Sequence, residues 1–349
     1  MLFCIAGAFL FNVFLTPLII HFCTRFGFYD SMNPRKMHNG KVSRLGGIGI
    51  MISSTAAFCI YVILFSSRDY SSLMPIFISG LIIFFAGAVD DFFNLPAKIK
   101  FLFQIIAAAV VAAGPLYFKE FFIFDVNEIT GRLMTFVWII SLVNSYNLID
   151  GLDLLCSGLS FLTQLTLGIL LIFCSEESAV LCFIFAAATF AFMLFNRPPA
   201  RIFLGDSGSQ FLGYSIAVIP LIYDFASFED VKAAVMAVLV SIPVIDVFAA
   251  IWRRTREHRS IFSADRAHIH HKLINIGFSK TTSVLILLMI QFVISVSVLS
   301  LLLMKTFTQR FTVLAMEMMF ICLVFIILHF VNRTVNRRLH GHLSEEPQE

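Results

Sequence analysis

Charged residues are scarce in this sequence: Asp, Glu, Lys and Arg make up 13% of its 349 residues, whereas apolar residues make up 59%. Soluble domains contain about 25% charged residues, so this composition excludes a soluble globular protein. The sequence predicts a polytopic integral membrane protein of the all-α class, because a helix satisfies its own backbone hydrogen bonds in lipid.

Three sequence patterns are also absent. The seven cysteines contain no C-x-x-C pair, so neither a disulfide framework nor a zinc site is indicated. The glycine-rich residues 45–49 lack the Gly-Lys-Ser/Thr sequence of a P-loop, and close helix packing is their expected purpose. The first apolar segment has no small-residue cleavage site, which is typical of a retained membrane anchor.

Apolar segments of roughly 16 to 23 residues, long enough to cross a hydrocarbon core of about 30 Å, occur eleven times. The expected spans are 2–22, 45–66, 74–89, 99–118, 133–149, 156–174, 179–195, 210–224, 231–251, 282–304 and 312–332.

Lys and Arg are distributed unevenly among the connecting segments. With the N-terminus outside, the segments that face the cytoplasm contain 19 of the 25 Lys and Arg residues. This bias predicts an outside N-terminus and a cytoplasmic C-terminus. The tail at 333–349 is expected to be disordered. The other cytoplasmic segments are 23–44, 90–100, 144–157, 196–209 and 252–280.

Asp90 and Asp91 follow the apolar segment 74–89. Carboxylates are costly at membrane depth, so the pair either marks the end of the span or belongs to a functional site. Other cytoplasmic segments contain residues of compatible chemistry, which favours the functional interpretation. These residues are Asn94, Lys98, Lys100, Asn144, Asn147, Asp150, Asp153, Asp206, Arg253, Arg254, His268, His270 and His271.

Carboxylate and amide oxygens are hard ligands that suit Mg²⁺ or Mn²⁺. Arg and Lys from neighbouring segments would neutralise phosphate charge. A metal held by acidic residues beside basic residues is typical of phosphoryl transfer, in which positioning and charge stabilisation supply most of the catalysis. The histidines are expected to donate hydrogen bonds to phosphate or to stabilise a loop, rather than to bind zinc.

Structural interpretations remain open for several of these residues. The spacing of three from Asn144 to Asp153 would form one polar stripe on a helix, as a cap or an interhelical hydrogen-bond cluster. Asp206 or Ser207 could be the N-cap of the next helix, and such a cap can also bind phosphate. Asp246 lies inside a span on the same face as Arg253, and we expect it to support a neighbouring site residue or to be a structural partner, rather than to be a catalytic group.

Four motifs together resemble the polyprenyl-phosphate N-acetylhexosamine-1-phosphate transferases, glycosyltransferase family 4. The similarity extends in order from about residue 30 to 271, and includes Lys36-Met-His38 and Arg44-Leu-Gly46-Gly47. The His-x-His-His motif is similar to the WecA/TagO branch, whereas the muramoyl-pentapeptide branch has three consecutive histidines. The four motifs are Asp90-Asp91-x-x-x-Leu95-x-x-Lys98-x-Lys100, Asn144-x-x-Asn147-x-x-Asp150-Gly151-x-Asp153, Phe203-x-Gly205-Asp206-x-Gly208-Ser209 and His268-x-His270-His271.

The resemblance implies an enzyme that transfers N-acetylhexosamine 1-phosphate, by default GlcNAc 1-phosphate, from a UDP-N-acetylhexosamine to undecaprenyl phosphate and releases UMP. This would be the first membrane step of a cell-envelope polysaccharide pathway in the bacterial cytoplasmic (inner) membrane. Residues 1–332 would form one transmembrane catalytic domain in the lipid bilayer, with Mg²⁺, or Mn²⁺ in its place, as cofactor. A homodimer is compatible with the resemblance, and no nucleic-acid partner is expected.

The resemblance also implies individual roles. Asp206 would be the principal metal ligand and Asn147 the second, while Asp90 would orient or deprotonate the lipid phosphate. The predicted catalytic residues are Asp90, Asp91, Asp150 and Asp153. The predicted substrate-binding residues are Asn94, Lys98, Lys100, Asn144, Arg254, His268, His270 and His271.

One residue departs from the family pattern. Leu154 stands where the family has the second glycine of Asp-Gly-x-Asp-Gly, and leucine does not have the backbone freedom of glycine. The turn after Asp153 is therefore expected to differ. Three competing interpretations are a muramoyl-pentapeptide-type transferase, a catalytically inactive relative, and a secondary transporter of an anionic solute. A transporter would place its binding groups near the bilayer midplane.

Overall fold

A computed structural model describes residues 1–29, 42–65, 71–121, 124–174, 176–222, 225–260 and 267–343. The all-α prediction is confirmed, because these residues form thirteen α-helices and only one two-stranded hairpin. The Lys36-Met-His38 motif and residues 344–349 of the predicted tail lie outside the described residues. The helices are α1 (Leu2–Phe26), α2 (Gly46–Phe65), α3 (Met74–Phe93), α4 (Ala97–Ala113), α5 (Glu128–Ile149), α6 (Leu155–Ile172), α7 (Glu176–Asn196), α8 (Gly205–Ile222), α9 (Lys232–Leu239), α10 (Ser241–Arg256), α11 (Ile269–Ile276), α12 (Lys280–Ser300) and α13 (Phe307–Leu343), and the strands are β1 (Glu120–Phe121) and β2 (Phe124–Asp125).

Within the described ranges, eight helices are long and apolar enough to cross a membrane, and α9 and α10 together form a ninth candidate that is bent by 63°. The protein is therefore a multi-pass membrane protein. Helices α4 and α8 occupy the positions of the fourth and eighth expected spans, but they are not among these candidates. The count of eleven spans stays a prediction.

Helix α8 forms the centre of the fold. It packs against α2, α3 and α5, and every residue from Ser207 to Ile222 is buried. A helix that is buried on all sides contacts other helices rather than lipid. The N-terminus of α8 is consequently fixed by its neighbours, and it carries Asp206 in its first turn.

Two glycines allow α2 and α3 to approach the first turn of α8. A Cβ atom added to Gly47 would lie 2.2 Å from the backbone nitrogen of Gly208, and one added to Gly87 would lie 2.6 Å from the Cα of Ser207. Both distances are shorter than any van der Waals contact. The expectation that Gly47 serves close helix packing is confirmed.

We expect Gly87→Ala to destabilise the protein by about 1–3 kcal/mol, because overpacking forces the backbones of α3 and α8 apart. The change should also reduce activity, since α3 carries Asp90 and Asp91 and α8 carries Asp206. The matched control is Gly7→Ala in α1, where an added Cβ meets nothing within 4 Å. Thermal unfolding in detergent measures both variants, and equal stabilities would contradict the packing argument.

Three helices differ from the boundaries that the sequence predicts. Helix α3 continues to Phe93, beyond the expected end of the span at residue 89, and Asp90 and Asp91 lie in its last turn. Helix α5 ends at Ile149, so the predicted polar stripe does not continue along the helix to Asp150 and Asp153. Helix α13 continues through Leu343, so residues 333–343 are helical where we expected a disordered tail.

Candidate functional site

The predicted site residues come from the ends of several helices. Asp90 and Asp91 lie in the last turn of α3, and Lys100 lies in the first turns of α4. Asn147 lies near the end of α5, and Asp206 lies in the first turn of α8. These helix ends converge at one end of the bundle, so the site is built from helices where the sequence suggested loops.

Lys100 links two of the acidic residues. Its Nζ atom lies 2.8 Å from Oδ2 of Asp90 and 2.8 Å from Oδ2 of Asp206. The Nδ2 atom of Asn147 also donates to Oδ2 of Asp206, at 3.1 Å. Asp90 is buried, and its second oxygen accepts the backbone N–H of Leu95 at 2.5 Å. The structure therefore brings Asp90, Lys100, Asn147 and Asp206 into one hydrogen-bonded cluster, which we call the acid–lysine cluster.

Asp91 caps the N-terminus of α8 from a neighbouring helix. Its carboxylate accepts the backbone N–H of Asp206 at 2.7 Å, the backbone N–H of Ser207 at 3.0 Å and the Ser207 hydroxyl at 2.6 Å. A negative charge at this position also complements the helix dipole. The N-cap group is thus supplied by α3, and neither Asp206 nor Ser207 has the capping role that the sequence suggested.

A layer of buried amides lies one helical turn below the acid–lysine cluster. Gln104 donates to Gln210 at 3.0 Å, and Asn144 donates to Gln104 at 2.7 Å. Because Gln104 and Gln210 each follow a cluster residue by four positions, they lie on the same helix faces as Lys100 and Asp206. Asn144, predicted to bind substrate, has its amide nitrogen engaged in this layer. The spacing of four is the sequence signal by which both glutamines could have been found.

Asp150 directly follows α5 and is exposed to the electric field of the neighbouring carboxylates. Burial raises the pKa of the Asp150 carboxyl well above its usual range, and the charges of Asp206, Asp91 and Asp153 raise it further. Several carboxylates in one recess carry excess negative charge, which a bound cation would offset. This field is an electrostatic reason to expect a cation at the site.

Asp153 and Leu154 form the turn that leads into α6. The Asp153 carboxylate accepts the backbone N–H of Ala200 at 3.1 Å, so it anchors the segment between α7 and α8. Leu154 has a φ of 70° and a ψ of −14°, in the left-handed region that glycine adopts readily. Its backbone N–H donates to Oδ1 of Asn196 at 2.9 Å. Leucine therefore adopts a conformation that glycine adopts readily, and the expected difference from the family's turn stays a prediction.

We expect Leu154→Gly to be more stable than Leu154→Ala by about 1 kcal/mol, because a left-handed residue with a Cβ atom costs roughly 1–2 kcal/mol. Both variants remove the leucine side chain beyond Cβ, so the lost packing largely cancels. At an ordinary helix position the order would be reversed. Thermal unfolding of the two variants side by side is the measurement, and a more stable alanine variant would contradict the strain argument.

The histidine motif lies at the start of α11. The rings of His268 and His270 are stacked, with centroids 5.9 Å apart and an interplanar angle of 8°. A Cβ atom added to Gly151 would lie 2.5 Å from Nε2 of His270, so this ring packs directly against the turn that contains Asp150. Burial lowers the pKa of His270 to about 3, with the charge of His271 as the second cause. His270 is therefore neutral at pH 7.

The remaining predicted residues are not members of the acid–lysine cluster. Asn94 ends α3 with a φ of 50°, and its Oδ1 accepts from Arg44 at 2.9 Å. Arg44 also donates to the backbone oxygen of Asp91 at 3.0 Å, although the sequence argument assigned it no role in the site. Lys98 is exposed on α4, and Arg254 is buried near the end of α10. A cavity of about 230 Å³ beside Arg44 is lined by Gly27, Phe28, Tyr29, Arg44, Leu45, Asp91, Phe92 and Asn94.

In the part of the chain that the structure describes, no group of three His, Cys, Asp or Glu side chains could hold a metal ion by itself. Mg²⁺ does not require such a group, because it is usually bound by one or two carboxylates, with water and substrate phosphates at its other positions. The Asp206 carboxylate and the amide oxygen of Asn147 are suitable ligands of this kind. The donor set therefore fits Mg²⁺.

Comparison with known proteins gives a consistent result. The family described as glycosyl transferase family 4 matches residues 73–224. A protein of Bacillus subtilis (strain 168), named probable undecaprenyl-phosphate N-acetylglucosaminyl 1-phosphate transferase, is 32% identical over 293 residues, which cover 81% of this chain and 80% of that protein. An Escherichia coli (strain K12) protein, named undecaprenyl-phosphate alpha-N-acetylglucosaminyl 1-phosphate transferase, is 30% identical over 311 residues, which cover 83% of each chain.

Proposed function

The chain belongs to glycosyl transferase family 4, and on this basis we propose that it transfers N-acetylglucosamine 1-phosphate from UDP-N-acetylglucosamine to undecaprenyl phosphate and releases UMP. The names of its relatives support undecaprenyl phosphate as the acceptor and N-acetylglucosamine 1-phosphate as the transferred group. They favour this activity over a muramoyl-pentapeptide-type transferase and over a secondary transporter.

The observation that carries the proposal is the bridge from Asp90 through Lys100 to Asp206, at 2.8 Å on each side. Phosphoryl transfer needs a positive group fixed beside the transferred phosphate and an acceptor held in line. Lys100 supplies the fixed charge, and the carboxylates hold its Nζ atom in place. The converging ends of apolar helices provide a location where a lipid acceptor and a water-soluble nucleotide sugar can meet.

In the proposed reaction, an oxygen of the lipid phosphate attacks the phosphorus bonded to the sugar. The bond from this phosphorus to the oxygen of the uridine-linked phosphate breaks, and UMP leaves. Asp90 orients the lipid phosphate, and Lys100 stabilises charge on the transferred group. Both oxygens of Asp90 and of Asp91 already accept hydrogen bonds, which favours this direct attack over an aspartyl-phosphate intermediate. Direct attack should invert a chiral sugar-linked phosphorus; net retention would contradict it.

Mg²⁺ is the cofactor in this proposal, with Asp206 and Asn147 as the protein ligands. When bound, it would neutralise diphosphate charge and polarise the phosphorus–oxygen bond. Asp91 accepts the backbone N–H of Asp206 and thereby fixes the residue whose carboxylate would hold the cation. Asp150 lies close enough for the charges of Asp206 and Asp91 to raise its pKa further, beyond the effect of burial.

The activity is tested with purified full-length protein in detergent, supplied with undecaprenyl phosphate, MgCl₂ and UDP-N-acetylglucosamine. UMP and a lipid-linked sugar should form in equal amounts, and omission of undecaprenyl phosphate should abolish both. UDP-N-acetylgalactosamine, tested in parallel, examines the choice of sugar. Lipid-independent nucleotide release, or no product, would contradict the proposal.

The proposal includes eleven membrane crossings, an N-terminus outside and the site at the cytoplasmic face of the inner membrane. The described helices include one at the position of each proposed crossing, with α9–α10 counted once; nine of these are long and apolar enough to cross a membrane. Single cysteines in a background without accessible cysteine should react with an impermeant maleimide in intact cells when placed at Lys119 or Lys305, but not at Lys98. Labelling at Lys98 in intact cells would overturn this orientation.

A further inference from the structure

Asp246 is a buried carboxylate that the proposed reaction does not use. It lies in α10 and is 1% exposed. Its Oδ2 atom is 2.8 Å from Nδ1 of His268, and its Oδ1 atom accepts the backbone N–H of Ile269 at 2.8 Å. Both partners belong to the start of α11 rather than to the face of α10 that carries Arg253. Burying a carboxylate is costly unless it is fully paired, so this contact is specific and not incidental.

The contact determines which nitrogen of His268 is left for a further hydrogen bond. With Nδ1–H donated to Asp246, Nε2 is the remaining ring nitrogen. His268 is 5% exposed and forms the N-cap position of α11. The hydrogen bond to Ile269 fixes the backbone next to this ring as well, so Asp246 restrains both the ring and its attachment.

His268 is connected to the acid–lysine cluster through His270. The two rings are stacked, and His270 packs against Gly151, next to Asp150. Asp150 is the C-cap residue of α5 and follows Asn147 of the cluster by three positions, which places this turn beside the cluster. His270 is buried, and its Nδ1 atom has no hydrogen-bond partner in the described structure. The histidine motif thus adjoins the cluster and includes an unsatisfied buried nitrogen.

We propose that Asp246 is a positioning residue, which holds His268 so that its Nε2 donates a hydrogen bond to the diphosphate of the nucleotide sugar. The phosphate oxygen is the acceptor of this hydrogen bond, while the Asp246 carboxylate pairs with Nδ1 of the same ring. This inference rests on the proposed function, because it names the donor substrate of the same site. Asp246 itself acts through His268 and touches no substrate.

The test compares Asp246→Asn, His268→Gln and the double variant in the full-length protein. Each single change should lower kcat/KM for UDP-N-acetylglucosamine by about 30-fold, the loss typical of one charge-assisted hydrogen bond. The double variant should lose no more than either single variant, because both changes remove the same interaction. The KM for undecaprenyl phosphate should stay within about twofold of the wild type, since the lost contact is to the other substrate.

The matched control is Asp230→Asn. Asp230 lies beyond the opposite end of α8 and pairs with Arg310 at 3.8 Å.

Losses that multiply in the double variant, or a wild-type kcat/KM in Asp246→Asn, would overturn the inference. A purely structural role would reduce the yield and thermal stability of the protein but leave the kcat/KM of the folded fraction unchanged. If Asp246→Asn is not recovered from membranes, the test rests on His268→Gln. That variant should still fold, because the glutamine amide can donate a hydrogen bond to the buried Asp246 carboxylate. A wild-type kcat/KM in that variant would overturn the inference.

Direct binding of UDP-N-acetylglucosamine separates this inference from the proposed function. A weaker Kd in both single variants supports the positioning role even if the wild-type protein transfers no sugar phosphate. Unchanged Kd values together with unchanged kcat/KM overturn the role while leaving the transferase activity intact.

Discussion

Replacing Asp206 with asparagine is expected to slow UMP release by about 1,000-fold at saturating substrates, which corresponds to roughly 4 kcal/mol of transition-state stabilisation. The carboxylate is the proposed metal ligand, and its Oδ2 atom also contacts Lys100 and Asn147. Asparagine has nearly the same shape but lacks the charge, so the packing of α8 should be retained.

The measurement is the rate of UMP release as a function of MgCl₂ concentration. Half-maximal activity of Asp206→Asn should require at least about tenfold more Mg²⁺ than the wild type, since one carboxylate ligand has lost its charge. Asp125→Asn in the exposed strand β2 is the matched control and should behave like the wild type. Substantial turnover of Asp206→Asn at saturating Mg²⁺ would contradict the assignment of Asp206 as the principal ligand.

Replacing Lys100 with methionine should have the second-largest effect, a loss of about 100- to 1,000-fold in kcat. Methionine preserves much of the aliphatic stem but removes the ammonium group that links Asp90 to Asp206. The two carboxylates would then repel each other without a fixed positive charge between them. Charge on the transferred phosphate would also lose its protein partner.

Kinetics at several Mg²⁺ concentrations distinguish Lys100→Met from Asp206→Asn. Because an ammonium group competes with a cation for Asp206, Lys100→Met should not raise the Mg²⁺ requirement, although kcat falls. The matched control is Lys305→Met, an exposed lysine between α12 and α13. A kcat within about fivefold of the wild type would show that Lys100 is not the fixed charge of the reaction, because loss of one such donor typically costs at least 100-fold.

The sequence predicts the membrane class and the all-α fold because both follow from composition and the length of apolar segments. Helix ends were predicted less well. Helix α3 continues past the expected end of its span to Phe93, and Asp91 in its last turn accepts a hydrogen bond from Asp206, which is 115 residues away in sequence. Similarly, α13 is longer than its apolar segment, and apolarity predicts only the portion within lipid.

The types of residue in the site could be predicted from the sequence, but the partner and role of each individual residue could not. Asp90 and Asp91 are adjacent in sequence, yet one contacts Lys100 and the other caps α8. Nothing in their local sequence distinguishes them, because successive helix residues point about 100° apart and their partners come from other helices. The buried glutamines and the Asp246–His268 contact depend on tertiary packing in the same way. Leu154 has a left-handed backbone conformation, which a glycine at this position would have indicated and a leucine does not.

The central claim is tested most directly by finding which product contains the sugar-linked phosphorus of UDP-N-acetylglucosamine. UDP-N-acetylglucosamine labelled with ³²P at the sugar-linked phosphate is incubated with the purified protein, undecaprenyl phosphate and Mg²⁺, and the products are separated into organic and aqueous phases. The account predicts that the label enters the organic phase together with the sugar, while unlabelled UMP stays in the aqueous phase. Sugar in the lipid with the label retained in aqueous UDP would indicate ordinary glycosyl transfer and would contradict the account.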